Sequence, residues 1–128
     1  MNTINTTKTT SNVVDYTLDA SKKRLGRLAT EIAVLLQGKN SPAYKSVTGI
    51  PKGGKVIIKN ASQIEVSGSK EQDKVYHHHT GYQGHLRKVT VSEMREKTPE
   101  RIIWYAVYNM LPKNRTRSAL MKRLIIEK

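Results

Sequence analysis

The chain has 128 residues, a length suited to one domain, and its 23 Lys and Arg against 10 Asp and Glu give a formal net charge of +13. A charge of this size repels itself in a compact fold, so it indicates an anionic partner, with nucleic acid first and an acidic membrane surface second. The absence of cysteine excludes disulfides and cysteine-based zinc sites, and it favours a reducing, cytoplasmic compartment.

The first twelve residues are rich in Thr and Asn, and Lys8 is their only charged residue. They lack the apolar centre of a signal peptide and the arginines of a transit peptide, so we expect residues 1–12 to be a disordered extension. Residues 13–128 carry no internal repeat and no linker, and they predict a single domain. No apolar run approaches the ~20 residues that cross a bilayer, so no membrane partner is expected.

The first half of this domain predicts a strand, a helix and a second strand in chain order. Residues 13–20 are rich in β-forming side chains. Residues 25–36 repeat apolar side chains at helical spacing, and Gly38 follows them as a C-cap. Residues 49–54 are rich in Gly and Pro and predict a turn, and residues 55–59 predict a short buried strand.

The next stretch predicts a short helix or loop over residues 69–74 and then a hairpin. Gly81 and Gly84 supply turn residues between stretches that resemble strands. Residues 89–91 alternate apolar and polar side chains, as in a strand with one exposed face. Ser92 is expected to cap the short helix that follows.

A longer helix is predicted to begin at Thr98, with Pro99 in its first turn, and to end at Pro112. Its apolar side chains recur at helical spacing and predict the buried face: Ile102, Ile103, Ala106, Val107, Met110 and Leu111. Residues 118–123 predict a last short helix and residues 124–126 a final strand. The alternation of strands and helices favours an α/β fold with a mainly parallel sheet.

Residues 49–55 match the first seven positions of a phosphate-binding P-loop. The eighth position is Val56, where a Ser or Thr hydroxyl must reach the metal. The segment precedes a predicted strand, whereas a P-loop follows one, and Pro51 removes an amide donor. The sequence therefore argues against nucleotide hydrolysis, and it predicts no cofactor and no small-molecule substrate.

Four histidines, His77, His78, His79 and His85, raise a metal site as an alternative. Adjacent side chains of a strand point to opposite faces, so only His77 and His79 could share one face. The nearest acid is Asp73, and two histidines without a third ligand make a weak site. Contact of the histidines with RNA phosphate is the favoured interpretation, and no metal ligand is predicted.

The run at residues 81–84 has the Gly-x-x-Gly spacing of KH domains, but strand-like residues rather than helices flank it. A hairpin turn is therefore the better interpretation. The aromatic signature of an RRM is absent, so recognition of RNA by base stacking on a sheet is not expected, although Tyr76 or Tyr82 could stack locally. Ser, His and Asp occur without a nucleophile-elbow sequence, so no catalytic residue is predicted.

Two basic clusters carry the functional prediction. The first lies where the first strand meets the first helix and consists of Lys22, Lys23, Arg24 and Arg27. The second lies near the C-terminus and consists of Lys113, Arg115, Arg117, Lys122 and Arg123. A single charge run is often only a solvated face. Two such runs on a chain of this net charge favour a surface that follows RNA phosphates.

From Val13 onward, the sequence resembles the bacterial form of the ribosomal protein L13 family of the large subunit. Single matches are weak, but these occur in order over most of the chain. The matching motifs are Leu18-Asp19-Ala20, Leu25-Gly26-Arg27-Leu28-Ala29, Gly38-Lys39, Asn60-Ala61, Asp73-Lys74-Val75-Tyr76, His78-His79-Thr80-Gly81, Pro99-Glu100-Arg101 and Met110-Leu111-Pro112-Lys113.

The resemblance implies a three-layer α/β/α sandwich with a small, mainly parallel sheet. It implies a structural, non-enzymatic constituent of the large ribosomal subunit that binds and organises large-subunit ribosomal RNA early in assembly. Neighbouring large-subunit proteins are then further partners, and the ribosome in the cytoplasm is the location. The family's RNA contacts carry over to Arg24, Arg27, Lys39, His78, His79, Gly81, Lys113 and Lys122.

The chain also departs from the family pattern. Residues 45–55 form a loop without acids, where the family has an acidic, histidine-containing loop. Residues 116–118 (Thr-Arg-Ser) replace the family's Leu-Gly-Arg and move the positive charge by one position. An RNA- or DNA-binding regulator acting away from the ribosome and a small nucleotide- or metal-dependent enzyme are the rival hypotheses.

Overall fold

The computed structural model describes residues 5–8, 14–42, 44 and 54–128. The strands of this part are β1 (Asn5–Lys8), β2 (Val14–Asp19), β3 (Val56–Lys59), β4 (Val75–His79), β5 (Leu86–Thr90) and β6 (Leu124–Ile126). The helices are α1 (Leu25–Gln37), α2 (Lys70–Asp73), α3 (Val91–Lys97), α4 (Pro99–Met110) and α5 (Arg117–Met121), with a 3₁₀ turn at Ala61–Gln63.

The main sheet has the strand order β1-β2-β3-β6. β3 pairs in parallel with β2, where Ile58 lies opposite Leu18, and in parallel with β6, where Ile58 lies opposite Ile126. β1 adds an antiparallel strand at one edge. The predicted α/β fold with a small, mainly parallel sheet is therefore confirmed, whereas the three-layer sandwich stays a prediction.

β1 lies within residues 1–12, where we expected disorder. Its four residues pair with β2, with Asn5 opposite Thr17 and Lys8 opposite Val14. The sequence offered no apolar alternation from which to predict this strand, because pairing at an open edge needs only backbone donors and acceptors. The other residues of the segment lie outside the described part, so the extension and the single domain over 13–128 stay predictions.

The core is formed by α1 against the sheet and α4. Leu28, Ile32 and Leu36 of α1 are fully buried together with Ile103 and Val107 of α4. Burial of a side chain of this size contributes roughly 1.5–3 kcal/mol, so these helix faces account for much of the packing. The helical period of α1 was thus a sound guide to its buried face.

The two ends of the long helices follow the predicted signals. Gly38 takes the left-handed conformation, φ 68°, and its N–H donates to the Leu35 carbonyl at 3.0 Å, which closes α1. Pro99 opens α4 and Leu111 follows it. Met110, predicted to be buried, is 43% exposed, which corrects the expected stripe. This side chain lies at the surface in the last turn of α4. Its sulfur accepts a hydrogen bond there from the Thr30 hydroxyl at 3.5 Å.

β4 and β5 form the predicted hairpin. The helix after it, α3, is capped two residues earlier than expected, because Val91 is buried with Met94 and Ile102 in a second, smaller core. Thr90, not Ser92, is the cap, and its hydroxyl accepts the Glu93 N–H at 3.3 Å. Burial of one apolar side chain therefore moved the boundary between strand and helix.

The segment between α1 and β3 is described only at residues 38–42, 44, 54 and 55. Most of the P-loop-like run and of the 45–55 loop consequently lies outside the described residues. Lys55 leads into β3, and its N–H donates to the Asp15 carboxylate at 2.8 Å. The run thus precedes a strand, as the sequence indicated.

Candidate nucleic-acid interface

The turn between β2 and α1 is built around the carboxylate of Asp19. One of its oxygens accepts the Ser21 N–H at 3.0 Å, the Ser21 hydroxyl at 2.8 Å and the Asn60 side-chain amide at 3.0 Å. The Ser21 N–H first, and then these side-chain donors, lower the pKa of Asp19 from 3.8 to about 2. The charged carboxylate therefore fixes the path of the chain directly before the first basic cluster.

The same turn holds Lys22 in the left-handed region, φ 57°, which non-glycine residues rarely adopt. Backbone hydrogen bonds on both sides of Lys22 fix it there, beginning with the Ala20 N–H, which donates to the Lys59 carbonyl at 3.0 Å. The Glu65 N–H donates to the Lys23 carbonyl at 3.0 Å, and the Leu25 N–H donates to the Glu65 carbonyl at 2.9 Å. The cations of this cluster therefore start from a rigid backbone rather than from a loose loop.

These cations line an open groove of about 430 Å³ together with Leu28, Glu31 and Glu65. Lys23 forms an ion pair with Glu31 at 3.4 Å, so its charge is partly compensated within the protein. Lys22, Arg24 and Arg27 are exposed. Residues 24–28, all described, contain no acid, and the positive end of the α1 dipole adds to this positive face.

A second groove of about 320 Å³ adjoins the first and shares Arg24 and Glu65 with it. It adds Lys70 and Lys74 from α2 and its junction with β4, above apolar side chains that include Met110. Our sequence analysis missed both lysines because they are distant from Arg24 along the chain. The fold thus joins the first cluster to two further cations.

Lys39 does not belong to this surface. It is exposed directly after Gly38, at the opposite end of α1 from Arg24 and Arg27. A helix of 13 residues is about 20 Å long. Lys39 would therefore contact a different part of any RNA that fills the two grooves.

The β4–β5 hairpin projects exposed polar side chains. His78 and His79 are neighbours in a strand and lie on opposite faces of it. The ring of His79 accepts the Gly81 N–H on Nδ1 at 2.9 Å, so in this form its proton is on Nε2. Gly81 has φ 95°, which only glycine adopts without strain, and Tyr82 at the tip is 75% exposed.

The hairpin register reveals two cations that sequence reasoning missed. Arg87 lies opposite His78, and Lys88 lies opposite His77. Opposite residues of an antiparallel pair point to the same face, so each face of the hairpin carries a histidine beside a cation. The alternation at residues 89–91 predicted a strand but does not include these two cations, whose pairing depends on the hairpin register.

Tyr76 has a different environment. Its ring stacks on Tyr105 with centroids 5.3 Å apart and packs against the smaller core. Burial first, and the neighbouring Tyr105 second, raise the pKa of its phenol. Among the described residues its hydroxyl has no hydrogen-bond partner. The Tyr76 ring therefore packs within the fold, whereas the Tyr82 ring is exposed.

The C-terminal cluster likewise contains both exposed cations and a cation that contacts the rest of the fold. Lys113 and Arg115 are exposed in the turn after α4, and Lys122 is exposed after α5. The guanidinium of Arg117 lies over the Tyr108 ring, 4.4 Å from its centroid, and its Nε donates to the Pro112 carbonyl at 3.1 Å. Three of these residues and Tyr108 line a third hollow of about 500 Å³ with Asn114 and Ser118.

Arg123 is half-buried directly before β6. Its carbonyl accepts the Val56 N–H at 3.0 Å and so extends the pairing of β3 with β6. The position of this residue is therefore set by the sheet rather than by a surface turn.

A cluster of metal-ligating residues is not formed by the described part of the chain. None of its groups of His, Asp and Glu brings three such residues together as a metal site would require. His77 and His79 share a face of β4, as alternation predicts, but gain no third ligand there. Separately, none of the described helices combines the length and the apolar character needed to cross a bilayer.

Comparison with known proteins adds an independent observation. A family model described as ribosomal protein L13 matches residues 14–126. A protein of Thioalkalivibrio sulfidiphilus named large ribosomal subunit protein uL13 is 47% identical over 109 residues, 85% of this chain and 75% of its own. Proteins of that name from Thermotoga petrophila and Clostridioides difficile are 49% and 46% identical, over 85% of this chain and 72% and 75% of theirs.

Proposed function

We propose a function on the premise that this chain belongs to the ribosomal protein L13 family, whose members are structural and non-enzymatic. The chain is a structural constituent of the large ribosomal subunit. It binds and organises large-subunit ribosomal RNA, it joins the subunit early in assembly, and it lies beside other large-subunit proteins. Its location is the cytoplasm, as part of the ribosome.

One observation carries the RNA-binding part of this proposal. Arg24 lies in both adjoining grooves and links Lys22 and Arg27 on one side with Lys70 and Lys74 on the other. The two adjoining grooves, which Glu65 also lines, therefore hold cations close together, and those of the β2–α1 turn start from a fixed backbone that suits the fixed phosphates of folded RNA. Phosphate contacts of this kind position a protein on RNA and supply most of its affinity.

The hairpin and the C-terminal turn supply further contacts. Their exposed candidates are His78, His79, Gly81, Tyr82, Lys113, Arg115 and Lys122. We assign a second, structural task to the four predicted residues that the fold itself engages: Lys23, Tyr76, Arg117 and Arg123. Lys39 is a separate contact at the far end of α1. The proposed interface therefore depends mainly on fewer residues than the set predicted from the sequence.

Sedimentation tests the proposal. The tagged chain, expressed in its own cells, is expected to migrate with large subunits and to stay with them through a high-salt wash. A variant that combines Arg24→Ala with Lys70→Ala is expected to be depleted from them. Recovery of the wild-type chain only at the top of the gradient would refute the ribosomal function and favour a regulator acting elsewhere.

The assembly part of the proposal has its own test. Depletion of the chain from growing cells is expected to cause precursors of the large subunit to accumulate. Early precursors isolated from normal cells should already contain the chain. Its appearance only in mature subunits would contradict an early role while leaving ribosome membership intact.

A further inference from the structure

A row of aromatic side chains follows the outer face of α4. Trp104 stacks on Tyr108, one turn later, with centroids 4.9 Å apart and planes within 10°. Trp104 also meets Tyr105 edge to face, with centroids 5.3 Å apart. Tyr105 in turn stacks on Tyr76 of the hairpin. We call these four residues the aromatic row.

A cation covers each end of the aromatic row. Arg117 lies over Tyr108, and Lys74 Nζ lies 5.3 Å from the Tyr76 centroid. Because Trp104 and Arg117 both lie so close to the Tyr108 ring, they fit only on its opposite faces. Trp104 remains accessible, with 37% of its surface exposed. Trp104 lies between Tyr105 and Tyr108 in the row, and a further ring can contact the part of its indole that stays exposed.

Cations outnumber acids around the aromatic row, where Glu100 is the acid one turn before Trp104 on α4. The hollow beside Tyr108 carries Lys113 and Arg115. Arg101 is exposed one turn before Trp104 on the same helix. Interfaces between proteins are poor in lysine at their centres, whereas binding of unpaired nucleotides combines exposed aromatic rings with cations that hold the phosphates.

We propose that Trp104 and the hollow beside Tyr108 bind an unpaired nucleotide of RNA. The base stacks on the indole, and the flanking phosphates contact Arg101, Lys113 and Arg115. This proposal rests on the RNA-binding function above and deepens it, since it assigns single-stranded RNA to one surface. Tyr108, held by Arg117, fixes the indole in place before the base arrives, which reduces the entropy lost on binding.

The chain offers a direct reporter, because Trp104 is its only tryptophan. The probes are a short oligoadenylate and an abasic ribose-phosphate oligomer of equal length, which keeps the phosphates and lacks the bases. At equal saturation, the oligoadenylate is expected to quench the fluorescence of the wild-type protein, and the abasic oligomer is not. Equal quenching by both probes would overturn the proposal.

Affinity measurements on variants complete the test. Trp104→Leu should bind oligoadenylate roughly tenfold more weakly and the abasic oligomer unchanged. The matched control is Tyr44→Leu, which removes an aromatic side chain of the same 37% exposure outside the aromatic row and should change neither affinity. Trp104→Phe keeps a ring and should lose less than Trp104→Leu. If Trp104→Leu fails to fold, the affinity of Trp104→Phe and the quenching of wild-type fluorescence test the proposal instead.

The possible failures separate the two proposals. If the wild-type protein binds neither oligomer nor large-subunit ribosomal RNA, the RNA-binding function itself is refuted. If it binds RNA but folded Trp104→Leu matches the wild type on oligoadenylate, only the nucleotide site is refuted. In that case Trp104 would be part of a surface that contacts a neighbouring protein.

Discussion

The guanidinium of Arg117 lies over the ring of Tyr108, 4.4 Å from its centroid, and so joins the C-terminal turn to α4. The interaction is reinforced by the hydrogen bond from Arg117 Nε to the Pro112 carbonyl. Arg117, one of the five cations that define the C-terminal cluster, therefore also stabilises the fold. Charge alone does not reveal this, because the role depends on where the turn after α4 returns.

Arg117→Ala should lower the free energy of unfolding by about 1–2 kcal/mol, since it removes a cation–π interaction and a hydrogen bond. Urea denaturation followed by circular dichroism measures the change. Arg115→Ala removes the same charge from an exposed position in the same turn and should stay within ~0.5 kcal/mol of the wild type. Equal urea midpoints for the two variants would contradict the structural role of Arg117.

Replacement of Lys113 and Arg115 together by Ala should leave the fold nearly unchanged and weaken RNA binding by about an order of magnitude. The slope of log affinity against log salt should shrink by roughly 0.7–0.9 for each phosphate that the variant no longer neutralises. Filter binding of large-subunit ribosomal RNA at several salt concentrations measures both quantities. Lys97→Ala with Lys128→Ala removes equal charge elsewhere, and a decrease of equal size there would point to net charge alone.

Arg24 and Lys70 line one groove, so their contributions to RNA affinity should be coupled. In a double-mutant cycle with Ala, the double variant should lose less free energy of binding than the sum of the single losses, by about 0.5 kcal/mol or more. The comparison cycle pairs Arg24 with Lys39, at the far end of α1, where the losses should add. Additive losses in both cycles would show that the groove does not act as a unit.

The carboxylate of Asp19 predicts a pH dependence of stability. Its pKa is about 2 in the folded protein against 3.8 for the free group, so its contribution is complete above pH 3.8 and is lost as the pH falls through 2. Asp19→Asn should therefore lower the melting temperature at neutral pH, and the difference from the wild type should shrink toward pH 2. Asp73→Asn changes an exposed carboxylate on α2 and is the control. A difference that stays constant over this range would contradict the assignment.

Local signals in the sequence predicted the regular elements well. The prediction of α1 from its period, of Gly38 as its C-cap and of β6 from its sequence each required only residues that are neighbours in the chain. α4 was bounded by Pro99 and Pro112 in the same way. These elements agree with prediction because capping and helical spacing are local properties that tertiary contacts here did not override.

The site was predictable only in part, because much of it depends on contacts between distant segments. The exposed cations of both clusters were identified from charge. Lys70 and Lys74 were missed, since only the packing of α2 beside the start of α1 brings them to Arg24. Trp104 was missed for a related reason: its spacing from Tyr108 was visible, but it lay outside the apolar stripe and no stacking was inferred.

β3 receives its parallel neighbours from opposite directions along the chain, β2 before it and β6 after the hairpin and four helices. Pairing of Ile58 with Ile126 therefore closes a long loop, and contacts of such high sequence separation slow folding because the entropy of loop closure must be overcome before they form. During synthesis, one edge of β3 stays open until residue 126 has been added. All cations of the C-terminal cluster, the last of which is Arg123, have consequently been synthesised before β6 can pair with β3.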